Sequence, residues 1–538
     1  MYGKKYQIGL GIFFLITRAI TSFGQSAPYI VWAKCYGGEA TEQANSISPT
    51  FDRGFLVAGL ETDSLSTDSF FSANHGGYDN WIIKINDTGR MVWSRILGGS
   101  GDDEAESIIQ TRDSGSIFVG FSNSNDRDIV GNHGGYDAWV VKLNDTGGIQ
   151  WQKSLGGTSD DYGFSIQQTS DNGYIVACIT SSNDGDVSGV YHGDFDYWIV
   201  KLTDSGRIEW QKTYGGTNDD QLYSIQQTKD HGYIAAGFTR STDGDISGNH
   251  GDYDYWVLKL NDTGKLLWQK CFGGSDEDRA FSVMQTIDGN YVVAGYTGSN
   301  DGQVTGNHGW FDYWIVKFND TGNILWQKCY GGSSMDQAVA IRQTSDSGYI
   351  VSGTSTSDDS EVTGHHESPG VLSHDYWVVK LNDTGKLEWE NSFGGVGIEV
   401  NTDIQLTADS CYIMTGYTSE PDDDGDVHDP TGYDDYWIVK IKDTSKIIKP
   451  TIIQNKSSNN NFIVYPTHTN AIVNVIIPIE HENAMMKVFN ELGQEINVRQ
   501  NISGLKRQLY FDNQPAGLYF IRILDETSAN SYKILYNP

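Results

Sequence analysis

The residues best suited to chemistry in this chain are carboxylates and imidazoles at recurring spacings. Asp-Gly-Asp occurs three times, at Asp184 to Asp186, Asp243 to Asp245 and Asp424 to Asp426, with variants at Asp126-Arg127-Asp128 and Asp301-Gly302-Gln303. Hard oxygen ligands closely spaced around a glycine turn suit Ca²⁺. The candidate calcium ligands are therefore Asp184, Asp186, Asp243, Asp245, Asp424 and Asp426. The spacing and bidentate Glu of an EF-hand are absent, and the competing reading is that Asp and Gly simply make the turn. A His stands six residues before a repeated Trp in five places: His75, His133, His192, His250 and His308. Such imidazoles can bind metal or sense pH, but so regular a residue is expected to serve the scaffold by hydrogen-bonding loop backbone. Acidic pairs follow a Gly-Gly at Asp102-Asp103, Asp160-Asp161, Asp219-Asp220 and Asp276 with Asp278. Paired carboxylates can cleave glycosidic bonds, yet catalysis needs one unique pair. A repeated ring reads instead as a cation or sugar-hydroxyl site, or as solvated turns.

These residues recur because the chain does. The phrase [DN]-x-W-[IV]-[IVL]-K-[ILF] surrounds Trp81, Trp139, Trp198, Trp256, Trp314, Trp377 and Trp437, at spacings of 58, 59, 58, 58, 63 and 60 residues. A second phrase, W-x-[KRN]-x-[YLF]-G-G, surrounds Trp32, Trp93, Trp151, Trp210, Trp268, Trp326 and Trp389. A fixed period of this length marks a repeat architecture. Each unit reads as four strands with no helical period. In the fourth copy these are Ser224 to Thr228, Tyr233 to Thr239, Tyr255 to Asn261 and Lys265 to Gly274, with a long loop between the second and third. Trp256, Leu258 and Leu260 share one face of the third strand, and Tyr255, Val257 and Lys259 the other. Both faces are largely apolar, as in a blade sandwiched between neighbours.

Seven such units predict an all-β, seven-bladed β-propeller over residues 25–449. The chain ends favour a ring over a solenoid. The first Trp-Gly-Gly strand, Tyr29 to Gly38, has no third strand before it, and the last third strand, Tyr436 to Lys442, has no Trp-Gly-Gly strand after it. The first can complete the last blade and remove the open edges. The Thr-Ser-Asp-x-Gly turns at Thr169 to Gly173 and Thr344 to Gly348 partly match a sialidase Asp box but lack its closing aromatic, and so read as hairpin turns. No Ser-His-Asp arrangement, P-loop, dinucleotide fingerprint or H-E-x-x-H motif is present.

Composition bounds the setting. A formal charge of −33 repels phosphate backbones, so nucleic acid is not an expected partner. Lys4 and Lys5, the apolar run Ile8 to Ile16 and the small residues that follow read as a signal peptide over residues 1–24. No other segment is apolar for long enough to span a bilayer. Of the five Cys, Cys35, Cys271 and Cys329 share one repeat position that other copies fill with Ile96, Ser154, Thr213 or Ser392. That tolerance marks a small buried strand position rather than a disulfide or thiolate site.

Two resemblances follow from these phrases. The Asp-rich turn, then Gly-Tyr-Ile-Val-Ala-Gly, then Gly-Gly-Tyr-Asp before the Trp, then Trp-Gly-Gly resembles the bacterial β-propeller repeat family and the related delta-60 type, over about residues 29–442. That resemblance implies a fold and an extracellular setting, not an activity. After a polar linker over 450–461, residues 462–538 are expected to form a small β-sandwich. Val464-Tyr465-Pro466, then Val488 to Ile496, then Pro515 to Ile523 and Tyr532-Lys533-Ile534 are similar to the type IX secretion C-terminal sorting domain of Bacteroidota. It implies export by the type IX machinery and a secreted or cell-surface location.

Function is expected where copies depart from the repeat. Copy six carries an insertion from His365 to His374, copy seven one from Glu420 to Gly432, and Trp310 lies outside the pattern. Two functional classes remain. One is a non-catalytic binding or adhesion propeller for an extracellular glycan or protein ligand. The other is a polysaccharide hydrolase or lyase using acidic rim residues.

Overall fold

A computed structural model describes residues 28–62, 75–366, 373–419 and 424–443, together with the C-terminal strands between 463 and 536. The expected leader and linker lie outside the described residues, as do 367–372 of the copy-six insertion and 420–423 of the copy-seven one. The chain divides into two compact units, residues 1–445 and 446–538.

The first unit is the seven-bladed ring. Each blade is a four-stranded antiparallel sheet, in chain order in six of them and completed by the N-terminal strand in the seventh, and the inner strands of all seven blades line a central cavity of about 300 Å³. The fourth blade comprises Asp220–Gln227, Tyr233–Thr239, Asp254–Leu260 and Leu266–Phe272. Its inner strand starts four residues before the expected Ser224, because buried Asp220 already anchors the chain there. The second and third strands are buried throughout and the outermost is half-exposed, as a sandwiched blade requires.

The ring closes as the chain ends predicted. Tyr29–Tyr36 pairs antiparallel with Asp435–Lys442, with Ala33 opposite Val439 and Cys35 opposite Trp437. Neighbouring blades are also stapled side chain to backbone. The Tyr197 hydroxyl donates to Trp256 O (2.9 Å), Tyr255 to Trp314 O (2.9 Å), Tyr313 to Trp377 O (2.8 Å), Tyr376 to Trp437 O (3.0 Å) and Tyr436 to Trp81 O (2.8 Å). The last of these bridges the closure. All seven third-strand Trp are at most 1% exposed. Burying such rings supplies much of the apolar driving force. The five Cys are free thiols, and burial pushes the Cys35 thiol up to about 12, in keeping with inert packing positions.

The second unit holds two four-stranded antiparallel sheets. Ile463–Thr467, Ile472–Ile476, Lys506–Tyr510 and Arg499–Ser503 form one, in that spatial order. Glu495–Ile496, Met485–Asn490, Gly517–Leu524 and Ala529–Tyr536 form the other. Among the described residues no helix is long and apolar enough to cross a membrane.

Candidate functional site

Strand alternation places the Gly-Gly turns and the long loops on one face of the ring, and the Thr-x-Asp-x-Gly and Asn-Asp-Thr-Gly turns on the other. The turn face is uniform. Each third-strand Lys reaches the Asp of its blade's turn, from Lys84–Asp52 at 2.6 Å to Lys380–Asp346 at 3.1 Å. The Asp171 carboxyl is partly desolvated, but hydrogen bonds from Thr169 and Lys201 outweigh that and hold it at about 2. The Asp-box-like turns are therefore scaffold.

On the loop face the Asp-Gly-Asp motifs act one per blade and do not converge. The first Asp caps the Gly-Gly turn entering its own blade: Thr158 N donates to Asp184 Oδ1 (2.8 Å), Thr217 N to Asp243 Oδ1 (2.8 Å) and Val396 N to Asp424 Oδ1 (3.1 Å). The amides of Asp186, Asp245 and Asp426 donate to Gly156 O, Gly215 O and Gly394 O at 2.8, 3.0 and 2.9 Å. Gly185 and Gly244 make the intervening turn at φ +65, a conformation that favours glycine. Among the described residues, no group of three or more His, Cys, Asp or Glu side chains is arranged to hold a metal ion.

The recurrent His are clasps. His133 N and Nδ1 meet Asp137 Oδ2 at 3.1 and 2.6 Å, and His250 meets Asp254 at 3.0 and 2.6 Å. The copy-six insertion preserves the device, with His366 N and Nδ1 both 3.0 Å from Asp375 Oδ2, and in copy seven Thr431 takes the place of the His. The second acid of each Gly-Gly pair is not a solvated turn residue, as the sequence had allowed. Asp103, Asp161, Asp220 and Asp278 are fully buried. Asp220 Oδ2 accepts from Gly216 N (2.7 Å) and Ser241 Oγ (3.0 Å), and a Cβ on Gly215 would touch both Asp196 Oδ1 and Asp220 Oδ2. Burial, with a contribution from Asp196, raises Asp220 to about 7. These facing acids fit only because glycine stands between them.

Copy three departs from this scheme where it meets the fourth blade. In copies two, four and five an Asn precedes the His and bridges two carbonyls: Asn132 Nδ2 donates to Ser122 O (3.0 Å) and Gly135 O (3.1 Å), and Asn249 and Asn307 do likewise. Copy three has Tyr191 there, 42% exposed, after Val190, 65% exposed. Tyr191 borders a cavity of about 490 Å³ between the third and fourth blades. Ser181, Asp194 and Phe195 complete the third-blade wall, and Asn218, Asp219, Gln221, Arg240 and Tyr253 form the opposite one. Arg240 is fixed by Asp252 (Nε to Oδ1, 2.9 Å) and lies over Tyr253 at 5.6 Å. Asp219 Oδ2 accepts from Gln221 Nε2 (2.8 Å) and Tyr253 OH (3.3 Å), while its Oδ1 has no hydrogen-bond partner among the described residues. At the preceding junctions the equivalent oxygens are occupied: Tyr136 N donates to Asp160 Oδ1 (3.0 Å) and Tyr78 N to Asp102 Oδ1 (3.3 Å). Burial, then the nearby charge of Asp194, raises the Asp219 carboxyl above its ordinary range against those hydrogen bonds.

Among the described residues, neither the copy-six nor the copy-seven insertion lines this cavity. The signal for copy three was the one 59-residue spacing, between Trp139 and Trp198, against 58 on either side. The extra residue is Val190, beside the Tyr that replaces the bridging Asn.

Residues 463–537 match the secretion system C-terminal sorting domain. The chain thus carries the signal for type IX secretion and display at the outer cell surface. No curated protein matches it. Similar solved structures include a putative gluconolactonase (12% identity, 63% of this chain and 88% of that one, TM-score 0.31) and a puromycin hydrolase (9%, 72% and 60%, 0.34). A thermostable family-43 glycoside hydrolase is also similar (10%, 55% and 96%, 0.30). Likenesses this distant carry nothing about activity.

Proposed function

We propose that this secreted propeller is a non-catalytic binding protein that holds a neutral glycan in the loop-face cavity between its third and fourth blades. The carrying observation is Tyr191. A position that fastens two carbonyls in copies two, four and five has given up that role and presents an exposed ring beside the cavity. Tyr191, Phe195 and Tyr253 offer ring faces for the C–H faces of a sugar. Asp194, Asp219, Asn218 and Gln221 offer acceptors and donors for its hydroxyls, a lining of apolar surface with a few placed polar groups. The charge of −33 disfavours an anionic polymer.

The test is titration of the protein against a glycan array and a set of extracellular proteins, with Tyr191→Asn as the variant. Asn is the residue four other copies carry there, at Asn74, Asn132, Asn249 and Asn307, so the fold should tolerate it. Glycan affinity should fall at least about tenfold, or ~1.4 kcal/mol, with no loss of thermal stability. Binding of a protein alone, unaffected by this change, would overturn the glycan reading.

Asp219 supports a second reading. A carboxyl raised above its ordinary range by burial, with a second carboxylate nearby in a cavity, is the pattern of a glycosidase acid. Release of new reducing ends from a bound glycan, abolished by Asp219→Asn, would make the protein a hydrolase.

A further inference from the structure

Trp310 is the one Trp that no repeat position explains, and it is 72% exposed on the same loop face as the cavity. The equivalent residues in copies one and two are Gly77 and Gly135, each packed so closely on the acid of the next blade that a Cβ would lie 2.0 Å from Asp102 Oδ1 or 2.2 Å from Asp160 Oδ1. In copy five both partners have changed together. Trp310 replaces the glycine, and Met335 stands where the next blade would carry that acid. The two changes remove a carboxylate and add an apolar ring at one junction, two junctions beyond the cavity.

The ground between the two places is aromatic. Tyr253, in the cavity wall, packs against Phe238 (5.3 Å between centroids), Phe238 against Phe281 (6.4 Å), Phe281 against Tyr296 (5.7 Å) and Tyr296 against Phe311 (4.9 Å), which adjoins Trp310. Edge-to-face and tilted rings at these separations pack rigidly. Trp310 therefore sits on a firm base continuous with the cavity.

From this we infer that the protein recognises a chain rather than a single sugar: the cavity holds one stretch of a linear neutral oligosaccharide, and Trp310 stacks on a unit further along it. The inference rests on the glycan reading above and narrows it to a polymeric ligand. Two linked subsites bind a chain more tightly than either alone, because the second contact becomes intramolecular. An exposed indole with no hydrogen-bond partner among the described residues is suited to the flat face of a sugar ring.

The experiment is calorimetric titration of the full chain with dimers, tetramers and octamers of the cello-, xylo-, manno- and laminari- series. Trp310→Gly, the residue of copies one and two, is the comparison. Octamers of the recognised series should bind at least about tenfold more tightly than dimers. Trp310→Gly should bring the octamer down to the dimer's affinity while leaving dimer binding and the melting temperature unchanged. Equal affinity at every length, or an octamer advantage that survives Trp310→Gly, would refute the chain inference and leave the cavity as a glycan site. Failure of every oligosaccharide to bind would remove the glycan reading itself.

Discussion

The junction between the second and third blades and the junction between the third and fourth come from one repeat, yet they spend the same positions differently. At the first, Asn132 ties two carbonyls and the Tyr136 amide caps Asp160. Both groups there serve the ring. At the second, Tyr191 has replaced the Asn, and Asp219 keeps an oxygen without a hydrogen-bond partner among the described residues. The buried acid clasps below are the same in both: Asp137 with Asp161, and Asp196 with Asp220. A repeat protein can therefore specialise one junction by altering its outer layer while the layer that holds the blades together stays fixed.

The largest expected effect tests the shared layer. Asp79, Asp220 and Asp278 are raised to about 7, and Asp161, Asp312 and Asp435 to about 6, burial being the first cause in each. Their unfolded value is 3.8, so between about pH 4 and pH 7 the native state holds more protons than the unfolded one. Stability should then fall as pH rises through that window. The turn-face acids act oppositely. Asp52, Asp171 and Asp409, held at about 2, stabilise above 3.8 and lose that contribution as pH falls. Melting temperature should therefore peak near pH 4 and decline toward neutrality. Asp137→Asn and Asp196→Asn should flatten the decline alike. A melting temperature that holds to pH 8 only with added Ca²⁺, and drops with a chelator, would show that a cation replaces those protons.

The next effect separates the outer layers. Asn132→Tyr removes the donor from Ser122 O and Gly135 O, and each carbonyl left unsatisfied where buried costs about 1–3 kcal/mol. The melting temperature should fall accordingly, with no change in ligand affinity. Tyr191→Asn should do the reverse. If Asn132→Tyr proves harmless, the bridging amide is not what copy three surrendered.

A smaller effect concerns Asp219 alone. If its carboxylate accepts a sugar hydroxyl, affinity should weaken on acidification, with a midpoint above the ordinary 3.8 because burial and Asp194 raise the group. Asp219→Asn should remove that pH dependence and cost severalfold in affinity, whereas Asp160→Asn should change neither.

Much of this fold was legible beforehand, because a period near 58 residues and strand patterning act along the chain. The seven Trp phrases gave the blades, and the unmatched end strands gave the closure later found between Tyr29–Tyr36 and Asp435–Lys442. The His positions read as scaffold from their regularity, but their rings hold the carboxylate of the Asp four residues on rather than loop backbone. The candidate site was not legible, since it needs convergence across two blades. Asp194 and Phe195 meet Asp219, Gln221 and Arg240 only once third and fourth sheets pack side by side. The long insertions are the most visible departures in the sequence, yet in copy six His366 restores the clasp. One added residue, Val190, was the informative change. The Asp-Gly-Asp spacing was legible, but not the cap that Asp184, Asp243 and Asp424 make on a neighbouring turn, which needs the folded blade.

The smallest effect decides between the two faces. Lys201 is buried and pairs with Asp171 at 2.9 Å, but Asp171 is 54% exposed. Solvent screens such a pair, and Lys201 keeps Glu209 (3.1 Å) and Leu202 O (3.2 Å) as partners. Asp171→Asn should therefore cost under about 1 kcal/mol. It should leave glycan affinity untouched, because its turn lies on the face opposite the cavity. Calorimetry on this variant beside Tyr191→Asn gives a clean contrast. If Asp171→Asn weakens binding while Tyr191→Asn does not, the ligand sits on the turn face. The specialised junction would then be a local accident of the loop rather than the site.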